Sequence, residues 1–222
     1  MRILIFILVF YIQNGLLCQT DINNYKLVCN FSPTYGYHSN NPVQFPLGYT
    51  DASITPINQD YKTGYDISLN FIRQIDNRFR IGVTTYTSRF GFIESGHELY
   101  YWSNQIHIYE IERQFILFGI GILSGYTLLK KNLSKIVVSS GLSYETFIKK
   151  EGVYLWSESE NNRKYSFNGS IEFMHKLTNS VDILIGLNTR IGLNDYFSTI
   201  DYKPLRFGCH FGFEYSLNRK IK

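Results

Sequence analysis

Apolar and polar residues alternate with a period of two over most of this chain. From Val181 one face reads Val181, Ile183, Ile185, Leu187, Thr189, Ile191 and Leu193, and the other Asp182, Leu184, Gly186, Asn188, Arg190, Gly192 and Asn194. From Leu205 the apolar face carries Phe207, Cys209, Phe211, Phe213 and Tyr215, against Arg206, Gly208, His210, Gly212 and Glu214. A third run from Tyr165 sets Phe167, Ile171 and Phe173 against Ser166, Asn168, Ser170, Glu172 and Lys176. Successive strand side chains point to opposite faces, so each run predicts a strand with one apolar and one polar side. Weaker runs at 25–37, 63–75, 79–92, 115–129 and 135–148 bring the total to eight. At roughly 11 to 15 residues each, they exceed the ~5–6 of soluble strands and suit tilted membrane strands, which need about 9–11.

Connection lengths alternate as well. Asp76-Asn77-Arg78, Thr178-Asn179-Ser180 and the segment 130–134 are short turns, whereas the linkers near 38–62, 94–114, 149–164 and 194–204 are long. Short turns at one end and long loops at the other are the habit of outer-membrane barrels. The segment Gln105-Ile106-His107-Ile108-Tyr109 is also strand-like. No turn chemistry separates it from Phe115, so it is expected to extend a strand beyond the membrane; ten strands is the alternative count. The predicted fold is all-β, a single closed antiparallel up-and-down transmembrane barrel of eight strands.

Alternation does not say which face is inside. A soluble lipocalin-like barrel alternates too, with its apolar side inward. Here the polar set is small and rich in Gly, Ser and Asn, as a cramped lumen demands, while the apolar set is broad and rich in Phe, Ile and Leu. Aromatics such as Tyr35, Tyr37, Tyr61, Phe90, Phe92 and Tyr165 gather where strands meet the long linkers, with Trp102 and Trp156 nearby. Tyr and Trp rings favour a membrane interface. The apolar face is therefore expected to meet outer-membrane lipid.

The first residues agree with export. Arg2 precedes an apolar run to Ile12, and Gly15-Leu16-Leu17-Cys18 leads into Gln19. This is the form of a secretory signal peptide over 1–18, leaving 19–222 as one barrel domain in the bacterial outer membrane. Lipidation at Cys18 is the competing reading, and Leu17 stands where a lipoprotein signal has a small residue. The run is too short for a membrane helix, and so is the apolar segment 115–123. Aromatic residues reach 17% and charged ones only 18%, a balance that favours amphipathic strands over a solvated surface. A net charge of +4 without a basic patch excludes nucleic acid as a partner. Cys29 and Cys209, the only cysteines after position 18, are too few for a disulfide scaffold. Counting along the first and last strands places them about four residues apart on one lipid-facing seam, too far to bridge.

The whole mature chain resembles the small outer-membrane β-barrel proteins of Bacteroidetes-type bacteria, called porin-like or PorT-like. The likeness rests on Cys18-Gln19, on turns such as Asp76-Asn77-Arg78 and on the closing aromatic strand at 207–217. It departs at 218–222, a tail that the family, which ends near an aromatic residue, commonly lacks. The resemblance implies insertion by the barrel-assembly machinery and a role in the envelope or beside a secretion complex.

Candidate chemistry is sparse. Alternation sends Asp66, Glu145, Glu172, Asp182 and Glu214 into the lumen, facing Arg80, Lys176, Arg190 and Arg206, with His210 beside them. Buried charges must be paired, so a nearly neutral plug is expected rather than an ion path. Ser95-Gly96-His97-Glu98 holds the residue types of an acyl hydrolase in a predicted outer loop, but adjacent residues seldom make a working triad. His38, His97 and His107 have no metal-ligand spacing, and neither metal nor cofactor is expected. The expected function is non-enzymatic: envelope structure, adhesion, or a secretion accessory. A lipid-modifying enzyme and a ligand-carrying soluble barrel are the alternatives.

Overall fold

The computed structural model describes residues 25–38, 52–100, 105–151, 163–195 and 203–217. The expected signal segment 1–18, Trp102 and Trp156 lie outside these residues. Eight antiparallel strands close into one barrel, each pairing with its sequence neighbours and β8 pairing back onto β1. They are β1 (Tyr25–His38), β2 (Ala52–Gln74), β3 (Phe79–Tyr100), β4 (Gln105–Lys131), β5 (Ser134–Glu151), β6 (Lys164–Lys176), β7 (Val181–Gly192) and β8 (Pro204–Ser216). Nine or ten strands are ruled out, because residues 105–109 run unbroken into the rest of β4.

The short turns are built from their own side chains. The Asp76 carboxylate accepts the backbone N–H groups of Arg78 at 2.6 Å and Phe79 at 2.7 Å. Those two bonds favour the ionised form and hold its carboxyl below the usual carboxylate range. Thr178 Oγ1 accepts the N–H groups of Ser180 and Val181. Between β4 and β5, Asn132 takes a left-handed φ of 51°, which Asn tolerates better than most residues.

The barrel is apolar outside and polar inside. Ile67, Leu69, Ile122, Leu142, Ile171, Ile185, Leu187, Phe211 and Phe213 are among the exposed large side chains, while Ser32, Asp66, Thr84, Ser143, Ser166 and Glu214 are buried. That inversion excludes the soluble lipocalin-like alternative, in which the apolar residues fill the interior. Aromatic rings bound the apolar band at both ends. Tyr25, Phe79, Tyr126 and Tyr215 stand near the short turns, and Tyr35, Tyr144 and Tyr165 near the opposite rim. Tyr25 and Tyr35 are ten residues apart on β1. At ~3.4 Å per residue and a tilt of about 40°, this gives a band of about 26 Å, the height of an outer-membrane hydrocarbon layer.

Two sequence expectations need correction. Strand enters both linkers expected near 38–62 and 94–114, since β2 begins at Ala52 and the β3–β4 ladder continues to Tyr100 opposite Gln105. Glu94, Glu98, Glu110 and Glu112 interrupt the alternation there. Phe90 belongs to the lumen and not to the interface, being only 3% exposed.

The cysteines follow the barrel closure. Cys29 sits opposite Phe213, four residues from Cys209 on β8, and both thiols are free. Four residues at ~3.4 Å put them about 13 Å apart, beyond the reach of a disulfide.

Candidate functional site

From the short-turn end upward, the lumen is filled in layers. The lowest is charged. Glu214 on β8 receives Lys26 Nζ from β1 at 2.5 Å, Lys135 Nζ from β5 at 2.9 Å and Arg80 from β3 at 3.3 Å. Lys135 also reaches Asp182 at 2.9 Å, and Arg80 reaches Glu172 at 2.6 Å. Arg80 lies flat over Gly125, its cross-strand partner, where an added Cβ would meet the guanidinium nitrogen at 2.6 Å. Val28, Ile72, Val137, Met174 and Leu184 form an apolar layer beside this network, with Leu123 packed against it.

A chamber of about 70 Å³ follows, walled in part by Asn30, Ser32, Asp66, Asn188, Arg190 and His210. Arg190 Nε donates to Asp66 Oδ2 at 2.8 Å, and Ser32 Oγ donates to Asn188 at 3.0 Å. Asp66 Oδ1, Asn30 Oδ1 and both ring nitrogens of His210 find no hydrogen-bond partner among the described residues. His210 Nε2 lies 3.7 Å from Glu172, too long for a hydrogen bond. Polar walls and this volume suit a few water molecules, which would satisfy those atoms.

Above the chamber, Glu145 is fully buried. It accepts Arg206 Nη2 at 2.5 Å, Ser166 Oγ at 3.1 Å and the Tyr86 hydroxyl. The Tyr86 ring lies under the Arg190 guanidinium, 3.3 Å from its centroid, and occupies the space above Gly119. A side chain at Gly119 would collide with that ring at 2.2 Å, which accounts for a glycine opposite an aromatic residue. Phe90, Phe115 and Phe147 then stack in sequence, with centroids 5.4 and 5.5 Å apart. Arg206 sits 5.2 Å from the Phe90 ring and Lys164 Nζ 4.7 Å from Phe147. These aromatics cap the lumen.

All ten charged or histidine residues read from the sequence face inward, but not as one network. Glu172, Asp182, Glu214 and Arg80 belong to the lower layer, Asp66 and Arg190 to the chamber wall, and Glu145 with Arg206 to the upper layer. Lys176 stands apart at the mouth, half-buried, with no carboxylate partner among the described residues. Lys26, Lys135 and Lys164 were missed: each lies within a few residues of a strand end, where lysine normally reads as solvated. The inward Phe90 and Phe115 were missed because β3 and β4 carry apolar residues on both faces, and Phe147 because β5 does so beside it, where Ile148 faces outward. Among the described residues no group of three or more His, Cys, Asp or Glu side chains could hold a metal. Residues 95–98 lie in β3, and the side chains of His38, His97 and His107 are outside the described part.

No protein-family model matches the chain, and no curated protein does. Solved structures do. Neisserial surface protein A aligns over 86% of this chain and 96% of its own, with a TM-score of 0.54 at 13% identity. The outer membrane protein OprG from Pseudomonas aeruginosa aligns over 86% and 95%, with a TM-score of 0.50 at 10% identity. The chain has the fold of the small eight-stranded outer-membrane barrels. With lipid-facing residues outside and charge within, it is built as a transmembrane barrel.

Proposed function

We propose that this is a non-enzymatic outer-membrane protein whose filled barrel serves as an anchor for a β-sheet blade held outside the cell, where it acts in adhesion. One observation carries this. Past the aromatic rim, β2, β3 and β4 continue as a paired three-stranded sheet, with Ala52 opposite Tyr100 and Tyr100 opposite Gln105. Among the described residues the other strands end sooner, and β5 reaches only Glu151 opposite Gln114. A sheet of this kind offers backbone N–H and C=O groups along its edges and a rigid surface for side-chain recognition. With the short turns in the periplasm, the blade points outward.

The layered lumen supports an anchor over a pore, and the expected signal peptide supports export by the general route, with the barrel-assembly machinery inserting the strands. The Bacteroidetes-type, PorT-like affinity rests on the sequence features alone, and with it the alternative of an envelope or secretion-complex accessory.

The blade is separable from the barrel. Cells displaying the full chain should attach to a surface or to one another. A variant with residues 94–111 replaced by an Asn-Gly turn, displayed at the same level, should lose that attachment while keeping the heat-shifted gel migration of a folded barrel. Attachment that survives removal of the blade would refute the adhesive role.

A further inference from the structure

The mouth at the short-turn end is a second cavity, of about 360 Å³, distinct from the chamber above the apolar layer. Its wall includes Lys26, Arg80, Lys130, Lys135, Lys176 and Asp182. These come from six different strands, so cations surround the opening instead of lining one side.

The charges divide into a paired set and a surplus. Lys26, Lys135 and Arg80 are matched by Glu214, Asp182 and Glu172 through contacts of 2.5 to 3.3 Å. Asp76, also on the wall, accepts hydrogen bonds from the amides of its own turn. Lys130 and Lys176 meet no carboxylate among the described residues. An ammonium carries three N–H donors; Lys26 donates one hydrogen bond and Lys135 two among the described residues, which leaves half of their six donors for a ligand. Positive charge and spare donors therefore converge on one cavity. Val137 lines its wall, with Val28, Ile72, Met174 and Leu184 packed in the same apolar cluster.

We propose that the mouth is a binding site for an oxyanion, a phosphate or carboxylate group carried by a soluble molecule on the short-turn side of the membrane. Several ammonium groups around one opening favour a polyvalent anion over a monovalent one, since each added negative charge meets another cation. A divalent metal would meet net repulsion. Lys26, Arg80, Lys135 and Lys176 point into the barrel, with the strands between them and lipid, which favours a soluble source over a lipid headgroup.

The test uses the full chain in zwitterionic nanodiscs, titrated with tripolyphosphate and followed by amide and lysine NMR signals. Saturable shifts are expected at Lys26, Lys130, Lys135 and Lys176, weakening with added salt, and citrate should compete. The Lys130→Gln/Lys176→Gln double variant should bind about tenfold more weakly. Should that variant fail to fold, Lys130→Gln alone should bind about threefold more weakly. Shifts that never saturate, affinity unchanged by these substitutions, or shifts confined to Lys149 and Lys150 would overturn the site. If anionic phosphatidylglycerol in the nanodisc moves the same signals and blocks tripolyphosphate, the ligand is a lipid headgroup and the soluble source is wrong. The site lies at the opposite end from the blade, so the variant lacking 94–111 should still bind, and the two readings fail independently.

Discussion

Arginine in place of Leu187 should destabilise the barrel in lipid vesicles by about 2–4 kcal/mol, and in place of Leu193 by about 0–1 kcal/mol. Both side chains are exposed, Leu187 at 61% on the outward row of β7 and Leu193 at 51% one residue past its end. They differ in depth. Leu187 lies between Ile171 and Cys209 in the middle of the apolar band, whereas Leu193 lies level with the Tyr165 rim. Water would treat the two positions alike; a bilayer does not, because an arginine at the rim reaches the headgroups by extending its side chain and one at the centre cannot. Asn188, the next residue, faces the chamber, and arginine there meets a limit of packing and pairing next to Arg190 instead. Refolding titrations in vesicles measure all three. Equal costs at Leu187 and Leu193 would contradict the membrane orientation.

A comparable loss is expected inside. Replacing Arg206 with Met, or Glu145 with Leu, should each cost about 3–5 kcal/mol, because either change leaves the other charge buried without its main partner. Arg206 is 1% exposed and Glu145 is fully buried, so water does not reach in to compensate. Replacing both at once should cost clearly less than the two single losses added together, since the double variant buries no stranded charge. Denaturant titrations of the four proteins give the coupling. Additive losses would mean that Arg206 and Glu145 act independently, with Tyr86 and Ser166 satisfying Glu145 on their own.

How far the sequence speaks depends on what each strand packs against. β6, β7 and β8 have lipid on one side and a lumen on the other that is polar except at Met174 and Leu184, so their alternation is plain and even the offset of Cys29 from Cys209 can be counted. β3 and β4 obey two rules in one strand. Within the membrane their inward face carries Phe90, Phe115 and Leu117 as well as Ser88 and Gly119, because an eight-stranded lumen must be filled and not merely wetted. Beyond it the pattern dissolves into what reads as loop. Lys26 and Lys135 illustrate a different limit. Each lies one residue inside the end of its strand, and only closure of the barrel brings them together onto Glu214. Composition foretold that the lumen is charged and paired; which charges share a layer depends on register, which no single strand contains.

The proposed anchor requires a filled barrel, with the charged layer, the apolar layer and the Phe90–Phe115–Phe147 cap each lying across the lumen. Electrical recording from the pure full chain in planar bilayers tests it most directly. The filled lumen predicts a membrane that stays at its baseline conductance across the usual range of voltage after insertion has been verified by protease protection. Reproducible, ion-selective unitary steps from that same protein would contradict it, and would require the layers to part into a continuous aqueous path.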